Sequence, residues 1–198
     1  MSLHKEDARS KKIIFVANCL LNANNKVLEI ARYGGMFKEV VEVLVEQDIG
    51  VIQMPCPETL YAGNQRWHTT RNLYDNAGYR RFCRQMAEPM VDYMENYKKI
   101  GYQVLGILTC DGSPSCGITK SSYSEDWGGK PKAIPRVLVD KPGIFMEELM
   151  ALIESRGLKL PEIYGLPMDN YEKTTEEIIK EFKNWAKEKI ANGDNATL

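Results

Sequence analysis

Three apolar, β-branched runs in this chain each end directly on a cysteine. "IIFVAN" (13–18) runs into Cys19, "GVIQMP" (50–55) into Cys56, and "YQVLGILT" (102–109) into Cys110. Short apolar runs of this kind read as buried strands. Helical segments separate and follow them. Between Met36 and Gln47, apolar residues at 37, 40, 41, 44 and 45 recur with helical spacing. A long helix is expected over Ala77–Lys99, with its stripe on Tyr79, Phe82, Met86, Met90, Tyr93 and Tyr97 and a kink at Pro89. "GIFMEELMALIESRG" (143–157) reads as a helix closed by a glycine suited to a left-handed cap. The last helix opens at Thr174, with Glu177 as its capping-box partner, and buries Ile178, Ile179, Phe182, Trp185 and Ile190. "IPRVLVD" (134–140) and "EIYG" (162–165) supply a fourth and a fifth strand.

This alternation predicts one doubly wound, three-layer α/β domain of Rossmann-like type over residues 1–198, with a mainly parallel sheet and frayed termini at 1–11 and 192–198. Ligands of such sheets lie beyond the carboxyl ends of the strands. Parallel strands share one direction, so the three strand-end cysteines fall on the same edge. Neighbouring strands are about 4.8 Å apart, which lets thiols on the following loops converge within roughly 10 Å.

Charge narrows the function classes. Lysine and arginine number 26 against 27 acids, which leaves no basic footprint for a dedicated nucleic-acid binder, so nucleic acid is not expected as the main partner. No apolar stretch has the length of a membrane span, and the charged start "MSLHKEDARSKK" lacks a secretory apolar segment, so a cytoplasmic protein is expected. Five cysteines at irregular spacing do not make a disulfide framework in a chain of 198 residues. Reduced thiols are expected, and clustered thiols in a reducing compartment point to metal binding or catalysis.

Cys116 lies six residues past Cys110, in the irregular stretch that begins "CDGSPSCG". Zinc sites commonly pair thiols as C-x-x-C, a pattern this chain lacks. Separations of 37 residues (19 to 56) and 60 residues (56 to 116) suit an inorganic cluster gathered from distant loops. Cys83, inside the helical "RRFCRQM", reads as apolar filler.

These segments carry a resemblance. "CLL" (19–21), "CPE" (56–58) and "SPSCG" (113–117) resemble the three motifs of the DUF523 family, which includes the thiouracil desulfurases, and "ARYGG" (31–35) is similar to that family's "CRYDG". The resemblance implies a 4Fe-4S cluster held by Cys19, Cys56 and Cys116, with one iron left open to take sulfur from a small thiocarbonyl compound. It implies catalytic roles for Glu58 and Ser113. Sulfur would leave as sulfide with no net electron transfer.

The chain departs from the family pattern in places. A glycine pair and "PR" usually follow "CPE", whereas this chain reads "CPETLYAGNQRWHTT", with Arg66 in the place of the arginine. Ala31 replaces the second cysteine of the first loop. Tyr61 and Trp67 are candidates to stack on a flat substrate, or else to pin the loop 57–72 to the core; His68 is a candidate proton carrier. Asp111 and Ser115 read as turn formers, and "SSYSEDWGGK" (121–130, with Trp127) as a lid or a connector. Cys110 has three open readings: a thiol beside the cluster, a fourth ligand, or a buried strand end. Two rival functions stand beside the desulfidase. One is a metal-free cysteine hydrolase using Cys56 or Cys116 with His68 as base; the other is a non-catalytic cluster- or metal-binding module.

Overall fold

The computed structural model describes residues 7–126, 137–167 and 173–191. Strand β1 (Lys12–Ala17) leads into a one-turn helix α1 (Asn18–Leu21), a short 3-10 turn and then α2 (Lys38–Glu46). Next come β2 (Gly50–Met54), the short helices α3 (Pro57–Ala62) and α4 (Arg71–Tyr74), the long α5 (Ala77–Lys99) and β3 (Gln103–Cys110). The chain continues through β4 (Ser121–Tyr123), β5 (Val137–Val139), α6 (Ile144–Ser155), β6 (Ile163–Leu166) and α7 (Thr175–Ala191).

The main sheet has the order β2-β1-β3-β6, with every pairing parallel. From β1 the chain steps one way to β2 and then crosses back to β3. Right-handed crossovers therefore place α2 and α5 on opposite faces. Helix α2 packs with α7, and α5 packs with α6. This is the doubly wound α/β arrangement expected from the alternation of strands and helices. The central strands β1 and β3 are buried almost throughout and form the middle of one contiguous core with Phe145, Phe182, Met94 and Leu44. No helix among the described residues is long and apolar enough to cross a membrane.

Several details differ from the sequence expectations. Strand β2 is not buried on both faces: it is the sheet edge, and of its five residues Met54 alone is fully buried. The described residues of the stretch 134–140 add nothing to the main sheet. Of these, Val137–Val139 pair antiparallel with β4 in a separate ribbon, and residues 134–136 lie outside the described set. In α2 the buried positions are Val40, Val43 and Leu44, while Val45 is 70% exposed.

In α5 the inward face runs through Tyr79, Cys83, Ala87, Met90, Val91 and Met94, whereas Tyr93 faces outward. Of the expected stripe, Tyr79 and Met90 are buried and Phe82, Met86 and Tyr97 pack partly buried against the core; the small residues Cys83 and Ala87 join them on the inward face. The helix continues without a break through Pro89. Residues 57–72 are not irregular throughout, since Pro57 occupies the first turn of α3, where its missing N–H costs nothing.

The expected caps are present. Gly157 has φ +66° after α6, and Thr174 and Glu177 exchange side-chain and backbone hydrogen bonds at the start of α7. An ionic frame joins α4 and α5 to α6. Arg71 and Arg80 both bind Asp75 and Glu147, and Arg80 and Arg84 grip the buried Glu148 at 2.8 and 2.6 Å. Of the termini expected to fray, 1–11 and 192–198, residues 1–6 and 192–198 lie outside the described residues, whereas 7–11 are exposed coil tied to the fold by Arg9, which donates to the Tyr102 hydroxyl at 3.1 Å, and by the Lys11 carbonyl, which accepts from the Gln103 N–H at 2.8 Å.

Candidate functional site

Strand order decides where the thiols meet. Cys56, the residue capping α3, follows the edge strand β2; Cys19, in the first turn of α1, follows β1; Cys110 is the last residue of β3. These three strands are adjacent, so the three thiols stand side by side at the carboxyl edge. Cys116 reaches the same place from the loop after β3. All four line one cavity of about 60 Å³, together with Lys26, Glu58, Arg66, His68 and Ser113.

Each wall has a local cause. The Tyr33 hydroxyl donates to the carbonyl oxygen of Cys19 at 2.8 Å, and its ring stacks on Phe37 with centroids 4.9 Å apart. That contact fixes the turn that presents Cys19. The loop carrying Cys116 is folded around Asp111, whose carboxylate accepts from the backbone N–H of Ile118 at 2.7 Å and of Thr119 at 3.0 Å, and also from the Thr119 hydroxyl. Asp111 can lie there because residue 165 is glycine, and a Cβ at that position would strike its carboxyl group. Gly117 is required in the same sense, since a Cβ would collide with the carbonyl oxygens of Ser113 and Lys120. Within the loop, the Ser113 hydroxyl oxygen accepts from the N–H groups of Ser115 at 3.3 Å and Cys116 at 3.1 Å.

Glu58 is held from both sides. Its Oε1 accepts hydrogen bonds from the Ser115 hydroxyl at 2.6 Å and the Ser113 hydroxyl at 3.2 Å. Its Oε2 accepts from Arg66 Nε at 3.3 Å. The rest of the Arg66 fork donates to Thr59 Oγ1, the Gly63 carbonyl and the Asn25 carbonyl, the last at 2.8 Å. Arg66 therefore ties α3 to the loop after α1 and neutralises a nearly buried carboxylate.

The thiols are electrostatically discouraged from ionising. Burial, then Cys56 and Glu58, push Cys116 well above the ordinary thiol range. Burial and Glu58 push Cys56 up, against the weaker opposing contacts with Thr59. For Cys19 the hydrogen bond with Cys110 and then burial raise it, while Lys26 opposes them. A positively charged centre taken into the cavity would reverse this balance, because thiolates bound to metal stay deprotonated. The Lys26 ammonium sits 3.5 Å from Cys110 Sγ and 5.9 Å from the centre of the Tyr33 ring.

Among the described residues, no three His, Cys, Asp or Glu side chains close on a single metal ion. The four thiols instead surround a shared void. Soft sulfur donors spaced around a cavity fit a polynuclear iron–sulfur group in ligand chemistry. A wider groove of about 600 Å³ abuts this site, sharing Asn25 and Cys56 and walled by Met86, Pro89 and Met90.

The chain is 32% identical over 176 residues to Uncharacterized protein MJ0003 of Methanocaldococcus jannaschii, a match covering 87% of this chain and 99% of that relative. The chain belongs to the MJ0003 family. Membership spans the α/β domain as a whole, not a fragment of it. No family model matches the chain, and no solved structure matches it.

Seven of the nine site residues expected from the sequence come together in this MJ0003-family chain: Cys19, Cys56, Glu58, Arg66, His68, Ser113 and Cys116 all line the cavity. Tyr61 and Trp67 do not. Tyr61 packs edge-on against Tyr79 with centroids 5.0 Å apart and lies against Phe82, so it pins α3 to α5. Trp67 is 76% exposed. Cys83 is core, its thiol pushed up to about 12 by burial. Cys110 is a buried strand end that also faces the cavity. Residues 121–126 fold back onto 69–72, where Asn72 bonds Ser124 through both its amide nitrogen and its oxygen; Trp127 lies outside the described residues.

Sequence reasoning missed Lys26, Asn25 and the contact of Ser115 with Glu58. Nothing in the spacing of "NANNKV" points Lys26 toward β3. Ser115 offered a weak signal, since its serine neighbour two residues earlier belongs to the same motif.

Proposed function

We propose that the protein is an iron–sulfur-dependent desulfidase that removes sulfur, as sulfide, from a small thiocarbonyl compound of the thiouracil type. The observation that carries this reading is the convergence of Cys19, Cys56, Cys116, Glu58 and Ser113, from three separate segments, on one cavity. The resemblance of "CLL", "CPE" and "SPSCG" to DUF523 motifs supplies the reaction. Cys19, Cys56 and Cys116 would hold the 4Fe-4S cluster. Bound through three thiolates, it supplies an open iron that acts as a Lewis acid toward sulfur.

The chain's own residues supply proton handling. Replacing C=S by C=O consumes one water and releases hydrogen sulfide, so both protons must leave the water oxygen and two protons must reach the sulfur. Glu58 Oε1 is the carboxylate oxygen for that transfer, with the Ser113 and Ser115 hydroxyls as adjoining carriers. Arg66 holds Oε2 and so fixes the direction of the other oxygen. The partial burial of Glu58, whose side chain is 13% exposed, limits competition from bulk solvent. The expected partner is a small thiolated molecule and not nucleic acid or membrane, and the expected compartment is the cytoplasm.

A metal-free cysteine hydrolase is the second reading, favoured by the presence of His68 in the same cavity as Cys56 and Cys116. The upward shift of both thiols opposes it, because the nucleophile is the thiolate. The test is sulfide release from a panel of thiocarbonyl compounds by anaerobically reconstituted protein, wild type against Glu58→Gln. The variant should keep its iron and sulfide while turnover falls by about 100-fold or more. Full turnover in the variant would remove Glu58 from the reaction, and full turnover by iron-free wild type would establish the hydrolase. Cluster binding without sulfide release from any compound in wild type would leave a non-catalytic module.

A further inference from the structure

Cys110 is the thiol that the motif resemblance leaves without a task. Strands β1 and β3 pair in parallel with Val16 opposite Leu108, so the first turn of α1 and the end of β3 are neighbours. The Cys19 and Cys110 side chains are hydrogen-bonded to each other, and both face the cavity. The Lys26 ammonium lies 3.5 Å from Cys110 Sγ, and a cation beside a sulfur favours its attack.

We propose that Cys19 and Cys110 form a reversible disulfide when the protein meets a peroxide, and that this bond withdraws Cys19 from the cluster site. The second half rests on the proposed function; the first half does not. In the first step Cys110 sulfur attacks one peroxide oxygen, the O–O bond breaks, one water leaves and Cys110 becomes a sulfenic acid. Cys19 sulfur then attacks the Cys110 sulfur, the S–O bond breaks and a second water leaves. Two thiols are oxidised by two electrons and one hydrogen peroxide is reduced to two waters. A small-molecule thiol reverses the bond by exchange.

The arrangement also explains why a fourth thiol stands in a site that the resemblance fills with three. With the cluster absent, a partner for Cys19 keeps that sulfur at the reversible level of the oxidation ladder. Cys56 and Cys116, the other two thiols lining the same cavity, are the competing pair.

The test uses metal-free, reduced, full-length protein treated with equimolar hydrogen peroxide, followed by intact mass, non-reducing peptide mapping and anaerobic iron uptake. The expected result is loss of two hydrogens, a cross-linked peptide joining Cys19 to Cys110, and at least tenfold lower iron uptake that dithiothreitol restores. Cys110→Ser, or Cys110→Ala if the serine variant does not fold, should abolish that cross-link. A cross-link mapped to Cys56 and Cys116, or no cross-link, overturns the proposal. A Cys19–Cys110 cross-link that leaves iron uptake unchanged overturns its second half. If the cross-link forms but untreated protein takes up no iron, the disulfide stands and the desulfidase reading fails.

Discussion

The Ser115 hydroxyl donates to Oε1 of Glu58 at 2.6 Å, and the same hydroxyl lies 3.6 Å from the sulfur of Cys116, the next residue. One side chain thus couples the proposed proton-handling carboxylate of α3 to a proposed cluster ligand on the loop after β3.

Ser115→Ala should therefore separate two effects. The loop keeps its fold through Asp111 and Ser113, so iron content is expected to stay at the wild-type level. Loss of one hydrogen bond to a charged group, worth about 1.5–3 kcal/mol, should lower sulfide release by roughly tenfold to a hundredfold. Metal analysis and turnover on the same sample read the two effects. Wild-type turnover would show that this bond plays no part in catalysis.

Arg66→Met removes the cation from a pair whose side chains are 5% and 13% exposed and leaves the Glu58 carboxylate uncompensated. Breaking a buried pair costs about 3–5 kcal/mol, and urea unfolding should show a loss of that order. Arg66→Lys should not restore it, because an ammonium cannot span the Glu58, Thr59 and Asn25 acceptors together. Adding Glu58→Gln to Arg66→Met should return part of the stability.

The thiols give the metal-free protein an alkaline liability. Folding raises Cys116 chiefly through burial, Cys19 through its Cys110 hydrogen bond and burial, and Cys56 through burial. A raised value means that the fold retains protons which the unfolded chain releases above its ordinary thiol value of about 8.5. Stability from these groups is complete below that value and is lost as pH rises through the folded-state values. The urea midpoint of metal-free protein should drop from pH 8 to pH 10, and Cys116→Ser should drop less. An identical drop in the variant would show that Cys116 is not responsible.

Gly117→Ala puts a methyl group against the carbonyl oxygens of Ser113 and Lys120. These are backbone atoms, so the loop must move, at a cost of about 1–3 kcal/mol. The sheet does not depend on that loop, so circular dichroism should be unchanged while iron uptake falls. Wild-type iron uptake would show that the loop conformation is not needed for binding.

The sequence shows which elements can be read without coordinates. Strands β1 and β3, the α/β alternation and the edge on which Cys19, Cys56 and Cys110 gather were legible, because apolar runs and chain direction determine them. Burial of β2 was not, since an edge strand and a central strand can carry the same "GVIQM". On α5 the stripe of Tyr79, Phe82, Met86, Met90 and Tyr97 is legible, while Tyr93 is exposed and the small Cys83 and Ala87 take buried positions that apolar size alone does not mark. For Tyr61 and Trp67 ring chemistry leaves two roles open, stacking on a flat substrate or pinning the loop to the core, and Tyr79 and Phe82 on α5 claim Tyr61 for the second. Lys26 and Ser115 entered the site through three-dimensional contacts that no spacing encodes.

The most direct measurement is the iron and acid-labile sulfide content of anaerobically reconstituted wild type beside Cys19→Ser, Cys56→Ser, Cys116→Ser and Cys110→Ser. The account predicts about four iron atoms per wild-type chain, a severe loss in each of the first three variants, and retention in Cys110→Ser. Iron-free wild type, or full iron content in Cys116→Ser, would contradict it.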